Sequence, residues 1–246
     1  MKRSGKIIWV VIFSSLILFQ AFHVSVAASN KEVVIVLHGI ARSSSSMATL
    51  AEHLETHGYQ VFNIDYPSTD HNIMALVDLV HQKITELKIN PTTKTHFVGY
   101  SMGCLITRGI IHRYRPQNLG RVVMLGPPNR GSEVAEFFKE FFLYEKIYGP
   151  AGQELGTGHH DYSELLGRVN YELGVIAGDR SIDPISSTII PGPDDGKVAV
   201  TRTRLQGMKD HIVVHATHTF MMRNTEVLMQ TAHFLKMGEF QRSVKP

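Results

Sequence analysis

Short apolar runs alternate along this chain with segments in which apolar residues recur at helical spacing. The first such run, Val33 to Leu37, reads VVIVL and contains no polar residue. A strand buried on both faces of a parallel sheet has this composition, whereas a strand with one wet face alternates between apolar and polar residues. Similar patterns predict five further strands, at residues 59–64, 95–99, 121–125, 174–177 and 211–215.

Amphipathic helices are predicted between these strands. Residues 47–57 form one and end before Gly58, a residue that commonly terminates helices. A second covers 73–87, with Asp70 as its expected N-cap and one stripe of apolar residues. Others are expected at 102–115 and 225–237. This alternation predicts an α/β fold, with a mostly parallel sheet of about six strands and helices on both faces.

The composition is that of one globular domain, and the net charge gives no reason to predict a highly charged binding partner. The 246 residues are 43% hydrophobic and 19% charged, enough for one sizeable core. Lys2, Arg3 and Lys6 account for the whole net charge of +3, so the rest of the chain is neutral. A neutral body gives no reason to predict binding to nucleic acid or to an anionic membrane surface.

The N-terminal residues 1–28 have a different character from the rest. A basic start is followed by the apolar run 7–19 and then by small residues, including Ala27 and Ala28. This is the layout of a secretory signal peptide, cleaved after Ala27 or Ala28, and the run is shorter than a typical membrane span of about 20 residues. The alternative is an uncleaved segment that anchors the protein to a membrane. Either reading predicts an exported protein, periplasmic or secreted, whose single globular domain spans 29–246.

The cysteine and histidine pattern predicts neither a disulfide nor a metal site. Cys104 is the one cysteine, so no intrachain disulfide can form, and we expect it to be a small buried hydrophobe. His159 and His160 precede Asp161, but adjacent histidines in a glycine-containing loop lack the usual ligand spacing. We therefore expect no metal and no cofactor.

A serine between two glycines is the first candidate for chemistry. Gly99-Tyr100-Ser101-Met102-Gly103 lies between a predicted strand and a predicted helix. The G-x-S-x-G pattern alone is weak evidence, but this context is the one a nucleophile elbow requires. Its sharp turn would expose the Ser101 hydroxyl, and side chains at Gly99 and Gly103 would collide with the neighbouring strand and helix.

A nucleophilic serine needs a histidine base, expected after the last strand. Three histidines compete there. His211 opens the predicted strand and should be a surface or edge residue, and His215 ends it and could belong to the edge of the core. His218 lies in the loop ATHTF between the last strand and the last helix, so His218 is the favoured base.

The base needs an orienting acid, expected between the fifth strand and the histidine. The candidates are Asp179, Asp183, Asp194 and Asp195. Asp179 directly follows the strand, whereas Asp195 lies in the turn PGPDDGKVAV, 23 residues before His218. Asp195 is favoured, with Asp194 and Asp179 as the main alternatives. The non-catalytic interpretation of Asp194 and Asp195 is a solvated turn.

Four motifs stand out along the chain: the HGI after the first strand, GYSMG, DDGKV and HTFMM. Taken together, they resemble the α/β-hydrolase superfamily, and the resemblance covers roughly residues 32–238. Among its members, the chain is most similar to compact bacterial lipases and esterases. The chain order Ser, Asp, His is that of the family. The resemblance implies an oxyanion hole made by the backbone N–H groups of Ile40 and Met102, with His38 shaping the loop.

The resemblance also implies an activity. The expected protein is an exported serine hydrolase that cleaves carboxylic esters, including lipid esters, through an acyl-enzyme intermediate. Its partner would be a small-molecule or lipid ester. An acyltransferase with the same triad, a thioesterase and an amidase stay open, as does an inactive hydrolase-like binding protein, although every catalytic position is filled.

Residues 131–172 carry an unusual concentration of aromatic side chains. The stretch FFKEFFLYEKIYGP places apolar residues on more than one helical face. Two interpretations compete: an extra helix buried on the sheet, or a cap or lid whose aromatic residues line an acyl pocket. Met221 and Met222 are expected to pack beneath the histidine loop.

Overall fold

The computed structural model describes residues 31–158 and 162–242. The segment predicted to be a signal peptide, residues 1–28, lies outside the described residues. So do His159, His160 and Asp161, the histidine pair and aspartate considered above.

Six parallel strands form one sheet in the order β2-β1-β3-β4-β5-β6. The predicted α/β class and strand number are therefore confirmed, and the predicted strand bounds differ from the observed ones by at most two residues. The strands are β1 Val33–Leu37, β2 Gln60–Ile64, β3 Thr95–Tyr100, β4 Leu119–Leu125, β5 Leu173–Gly178 and β6 Asp210–Val214.

Helices connect the strands and close the chain. They are α1 Ala48–Thr56, α2 Ile73–Glu86, α3 Met102–Tyr114, α4 Glu133–Phe138, α5 Phe142–Gln153, α6 Ser163–Leu166, α7 Pro184–Ile189 and α8 Thr225–Met237. The four helices predicted individually correspond to α1, α2, α3 and α8. The predicted cap of α2 is wrong. Asn72, directly before the first helical residue, accepts a hydrogen bond from the N–H of Ala75 at 2.8 Å, whereas Asp70 lies in the preceding turn.

The apolar strands are explained by cores on both faces of the sheet. Within β1, Val34 and Val36 pack in a cluster with α1 and α8. Ile35 and Leu37 pack in a second cluster with α2 and α3. Since each face of the strand meets its own helical layer, every position is apolar. The carboxyl ends of all six strands meet at one edge, so the loops that follow β1, β3, β4, β5 and β6 can share a site there.

We expect acid to destabilise the folded protein, because three of its histidines have lowered pKa values. Burial lowers the pKa of His38, His96 and His211, and Arg204 also lowers that of His211, to about 4. Below pH about 6.5, the unfolded chain then binds protons that the folded chain does not. We expect the free energy of unfolding to decrease as the pH falls from about 6.5 to 4, measured by urea denaturation at several pH values.

His211→Gln is the control, because it removes one of these titrating groups. The decline of unfolding free energy over the same pH range should become shallower in this variant. An unfolding free energy that does not change between pH 6.5 and 4 would contradict the prediction.

Candidate active site

The turn that carries Ser101 has a backbone that demands glycine on both sides. Ser101 itself has φ 53° and ψ −124°, between β3 and α3, a conformation that costs an L-residue energy. A Cβ added to Gly99 would lie 2.8 Å from the backbone of Cys104, and one added to Gly103 would lie 2.5 Å from the carbonyl oxygen of Leu37. The expected clashes with helix and strand are therefore present, and Cys104 is buried as predicted.

Three distant side chains meet beside this turn. His218 Nε2 lies 3.0 Å from Ser101 Oγ, and His218 Nδ1 lies 2.7 Å from Asp195 Oδ2. A carboxylate can only accept hydrogen bonds, so Nδ1–H donates to Asp195 and Nε2 is left to accept from the serine hydroxyl. Ser101 and His218 are each 8% exposed and Asp195 is 2% exposed. The structure thus brings together the serine, histidine and aspartate that the sequence favoured.

The backbone around His218 is held by contacts that sequence reasoning missed. The Tyr100 hydroxyl donates to the His218 carbonyl at 2.8 Å, and the His218 N–H donates to the Asp195 carbonyl at 2.8 Å. Gly126, at φ 53°, lies so close that an added Cβ would be 3.1 Å from His218 Nδ1. The only sequence signal was a glycine directly after β4.

The second oxygen of Asp195 is held by the turn that contains it. Oδ1 accepts hydrogen bonds from the N–H groups of Lys197, at 3.0 Å, and Val198, at 2.8 Å. Asp194 and Asp195 are both buried, so the solvated-turn interpretation is wrong. Asp194 instead caps its own turn, because its Oδ1 accepts from the N–H of Gly196 at 2.6 Å.

The remaining candidates have other partners. Asp183 caps α7 by accepting from the N–H of Ser186 at 3.1 Å. His211 lies on the edge strand β6, as expected. His215, for which a place at the core edge was left open, does not lie there: β6 ends one residue earlier, and the His215 side chain is 73% exposed beside Asp179, at 3.0 Å. Met221 and Met222 are buried, as predicted.

The loop after β1 runs alongside the serine. A Cβ added to Gly39 would lie 3.1 Å from the Cβ of Ser101, and the next residue, Ile40, lines the same cleft. Met102 is the first residue of α3, where a helix leaves its N–H groups without partners inside the helix. These positions are compatible with the predicted oxyanion hole. The roles of Ile40 and Met102 as its N–H donors stay a prediction.

His38 supports that loop from below. Its Nδ1 lies 2.8 Å from the carbonyl oxygen of Gly39, and its Nε2 accepts from the N–H of Tyr66 at 3.3 Å. The Tyr66 hydroxyl donates to the His38 carbonyl, and the two rings stack with centroids 4.0 Å apart. Burial lowers the pKa of His38, which favours the neutral ring. These contacts agree with the structural role expected for His38.

A cleft of about 660 Å³ opens above Ser101. Its charged lining residues are Arg42, Asp183 and Lys197, of which Asp183 and Lys197 form an ion pair at 3.0 Å. Its apolar and aromatic lining is supplied mainly by the segment after β4, through Val134, Phe138, Phe141, Leu143, Tyr144, Ile147, Tyr148 and Leu155. The cleft therefore combines a reactive floor with a largely apolar wall.

The α4–α5 segment, residues 133–153, is not a helix buried on the sheet, so that interpretation is wrong. Phe142 is 76% exposed and Leu143 is 66% exposed. Helix α5 is interrupted at Gly149, whose φ of 60° and ψ of −162° are not helical. Ala151, two residues later, is fully buried. The segment is thus anchored at its end and exposes apolar side chains at the mouth of the cleft.

Within residues 31–158 and 162–242, no three histidine, cysteine or acidic side chains are grouped so that they could hold a metal ion. None of the helices in that same part of the chain has both the length and the apolar character needed to span a bilayer.

The chain resembles known proteins in sequence. Residues 32–146 match the family described as the alpha/beta hydrolase fold. Human lysosomal thioesterase PPT2 is 27% identical over 209 residues, which cover 72% of this chain and 68% of that protein. A Drosophila melanogaster homologue is 29% identical over 174 residues, covering 61% and 59% respectively.

Solved structures share the architecture. The mature lipase BlEst2 of Bacillus licheniformis superimposes with a TM-score of 0.70 at 20% identity, covering 85% of this chain and 92% of that one. The phospholipase PlaB of Legionella pneumophila gives a TM-score of 0.69 at 16% identity, covering 85% and 60%. At such identities the likeness shows a common fold and nothing finer.

Proposed function

The chain belongs to the α/β-hydrolase superfamily, and from this premise we propose that it is a serine hydrolase that cleaves carboxylic esters of apolar acyl groups. One observation carries the proposal. Ser101, His218 and Asp195 form a continuous hydrogen-bonded chain at the floor of a largely apolar cleft. This chain is the arrangement that converts a weak hydroxyl into a nucleophile.

In the proposed acylation, Ser101 Oγ attacks the carbonyl carbon of the ester as its proton passes to His218 Nε2. Asp195 stabilises the imidazolium that forms and holds the ring in position. The negative charge on the carbonyl oxygen would be met by the N–H groups of Ile40 and Met102. His218 then returns the proton to the leaving alcohol oxygen as the carbon–oxygen bond breaks, which leaves an ester on Ser101.

Water completes the cycle by the same path. It attacks the acyl-enzyme carbonyl and gives its proton to His218, and the proton then returns to Ser101 Oγ as the acid departs. Interception of the acyl-enzyme by an alcohol or amine would give an acyltransferase instead. Product analysis with an added acceptor distinguishes the two activities.

The lining of the cleft supports an apolar acyl group. We propose that the α4–α5 segment is a lid or cap whose aromatic side chains contact the acyl chain. Phe138 and Tyr148 line the cleft while both are only half-buried, so part of their apolar surface is available to a ligand. Burial of an acyl chain against such surface is favourable by roughly 25 cal/mol per Å².

Phe138→Ala is expected to lower kcat/KM for long-chain esters about 10- to 100-fold and to leave short-chain esters nearly unchanged. The reason is that only a long chain reaches the removed ring, whose contacts contribute about 1.5–3 kcal/mol. The measurement is kcat/KM over a series of acyl esters of increasing length.

Phe142→Ala is the matched control, because Phe142 lies in the same segment and is 76% exposed, outside the lining of the cleft. It should retain the wild-type chain-length profile. An equal loss on short and long esters in Phe138→Ala would argue against an acyl-binding role for the segment.

A thioester is the second candidate substrate, because the human and fly proteins similar to this chain are named thioesterases. Oxygen esters and thioesters with the same acyl group, assayed side by side, decide between them. A fluorophosphonate probe tests the proposal as a whole: labelling that disappears in Ser101→Ala supports it, and a folded protein that never labels supports an inactive binding protein.

We also propose that the protein is exported to the periplasm or beyond, either released or held at the membrane by its N-terminus. This rests on residues 1–28, with their basic start, apolar run and small residues before Ala28. The N-terminal sequence of the protein recovered from culture medium, periplasm and membrane fractions tests both export and cleavage.

A further inference from the structure

Ser132 stands at the base of the α4–α5 segment. Its Oγ accepts a hydrogen bond from the N–H of Ala135 at 3.3 Å, so it caps α4. Its own N–H donates to the carbonyl of Leu155 at 2.9 Å, beyond the end of α5. Ser132 therefore joins the two ends of the segment, and it is only 7% exposed.

The same hydroxyl reaches the turn that holds Asp195. Ser132 Oγ donates to the carbonyl oxygen of Lys197 at 2.6 Å. That carbonyl belongs to the same peptide group as the N–H of Val198, which donates to Asp195 Oδ1 at 2.8 Å. A hydrogen bond accepted at one end of a peptide group strengthens the one donated at its other end. The hydroxyl of Ser132 is thus linked to the carboxylate of Asp195 through one peptide.

Other contacts hold the turn independently. The N–H of Lys197 also donates to Asp195 Oδ1, at 3.0 Å, and the Lys197 ammonium group pairs with Asp183 at 3.0 Å. Removal of the Ser132 hydroxyl should therefore leave the turn folded. What it removes is one fixed point of the peptide that orients Asp195.

We propose that Ser132 is a positioning residue that ties the α4–α5 segment to the acid Asp195 through the Lys197–Val198 peptide. The inference rests on the proposed function, because it takes Asp195 as the acid that orients His218. In this proposal the α4–α5 segment, which contacts the acyl chain, is connected through Ser132 to Asp195, which orients His218.

Ser132→Ala is expected to lower kcat for a short-chain ester about tenfold with KM unchanged, the size of effect that loss of one hydrogen bond produces. Ser132→Thr keeps a hydroxyl and should restore most of the rate. A short ester is used because its acyl group does not extend along the α4–α5 segment. A change in the binding of a long acyl chain therefore does not affect the measured kcat. Steady-state kinetics on the purified chain gives both constants.

Asn72→Ala is the matched control for the loss of a helix cap. Asn72 caps α2 through the N–H of Ala75, and it makes no contact with the turn of Asp195. This variant should have a lower Tm and an unchanged kcat. If Ser132→Ala does not fold, Ser132→Gly replaces it, since glycine at a helix N-cap costs only a few tenths of a kcal/mol.

The proton NMR signal of His218 Nδ1–H reports the position of Asp195 without turnover. We expect its downfield resonance to move upfield in Ser132→Ala, to return in Ser132→Thr and to stay unchanged in Asn72→Ala. A wild-type kcat together with an unshifted resonance in Ser132→Ala would overturn the inference. Failure of the proposed function looks different: the wild-type protein would neither hydrolyse esters nor label, whatever the resonance does.

Discussion

Ser101→Ala is expected to lower kcat for ester hydrolysis by on the order of 10⁶-fold and to leave the fold intact. The variant lacks the oxygen that lies 3.0 Å from His218 Nε2, so the acyl-enzyme cannot form. Packing is hardly disturbed, because the side chain lost is one small hydroxyl at the cleft floor. Initial rates with a short-chain ester and circular dichroism measure the two halves of the prediction.

Ser101→Gly separates the chemistry from the backbone. Glycine adopts a positive φ without the strain that a Cβ causes at 53°, so Ser101→Gly should exceed Ser101→Ala in unfolding free energy by about 1 kcal/mol while being equally inactive. Ser45→Ala, at an exposed position in the short 3₁₀ helix before α1, is the serine control and should keep full activity. Turnover by Ser101→Ala close to that of wild type would show that the nucleophile is misassigned.

Asp195→Asn is expected to lower kcat about 10⁴-fold at neutral pH. Two backbone N–H groups, from Lys197 and Val198, donate to Oδ1 and require an acceptor there. The amide must then turn its NH₂ group toward His218 Nδ1, which forces the ring proton onto Nε2. A base that is already protonated on Nε2 cannot take the proton of Ser101. The measurement is kcat as a function of pH.

Asp194→Asn is the matched control, because Asp194 is one residue away and is also buried. Asp194 Oδ1 accepts hydrogen bonds from the N–H of Gly196 and from the Ser187 hydroxyl, so its carboxylate stabilises the turn. This variant should lose stability and keep kcat within about tenfold of wild type. If Asp194→Asn were the more damaged enzyme of the two, the acid would be Asp194.

The fold was readable from the sequence because each of its signals is local. VVIVL in β1 has no polar residue, and only a strand covered on both faces tolerates that. The glycines at 99 and 103 were also local signals, since each leaves room for a backbone passing within 3 Å. The cap of α2 was predicted at Asp70 but lies at Asn72, because both residues precede the helix and both residue types suit an N-cap.

The aspartate that contacts His218 was harder to predict, because that choice depends on long-range contacts. Asp194 and Asp195 are adjacent in the chain, and a turn can direct the carboxylate of either residue toward the interior. Contacts with the loop of His218, 23 residues further along, select Asp195. For the same reason the pattern alone left Asp179 open as an alternative, although in the folded chain Asp179 lies beside the exposed His215.

The sequence by itself determined the α/β class with a parallel sheet of about six strands, and it placed the candidate residues Ser101 and His218 at the edge where the strands end. These follow from periodicity and from residues adjacent in the chain. Only the tertiary structure decided that Asp195 faces His218, that the α4–α5 segment exposes its aromatic residues at the cleft, and that Ser132 contacts the turn that contains Asp195. Each of these depends on which surfaces meet after folding, and side-chain burial and hydrogen-bond direction at such meetings leave no local pattern in the chain.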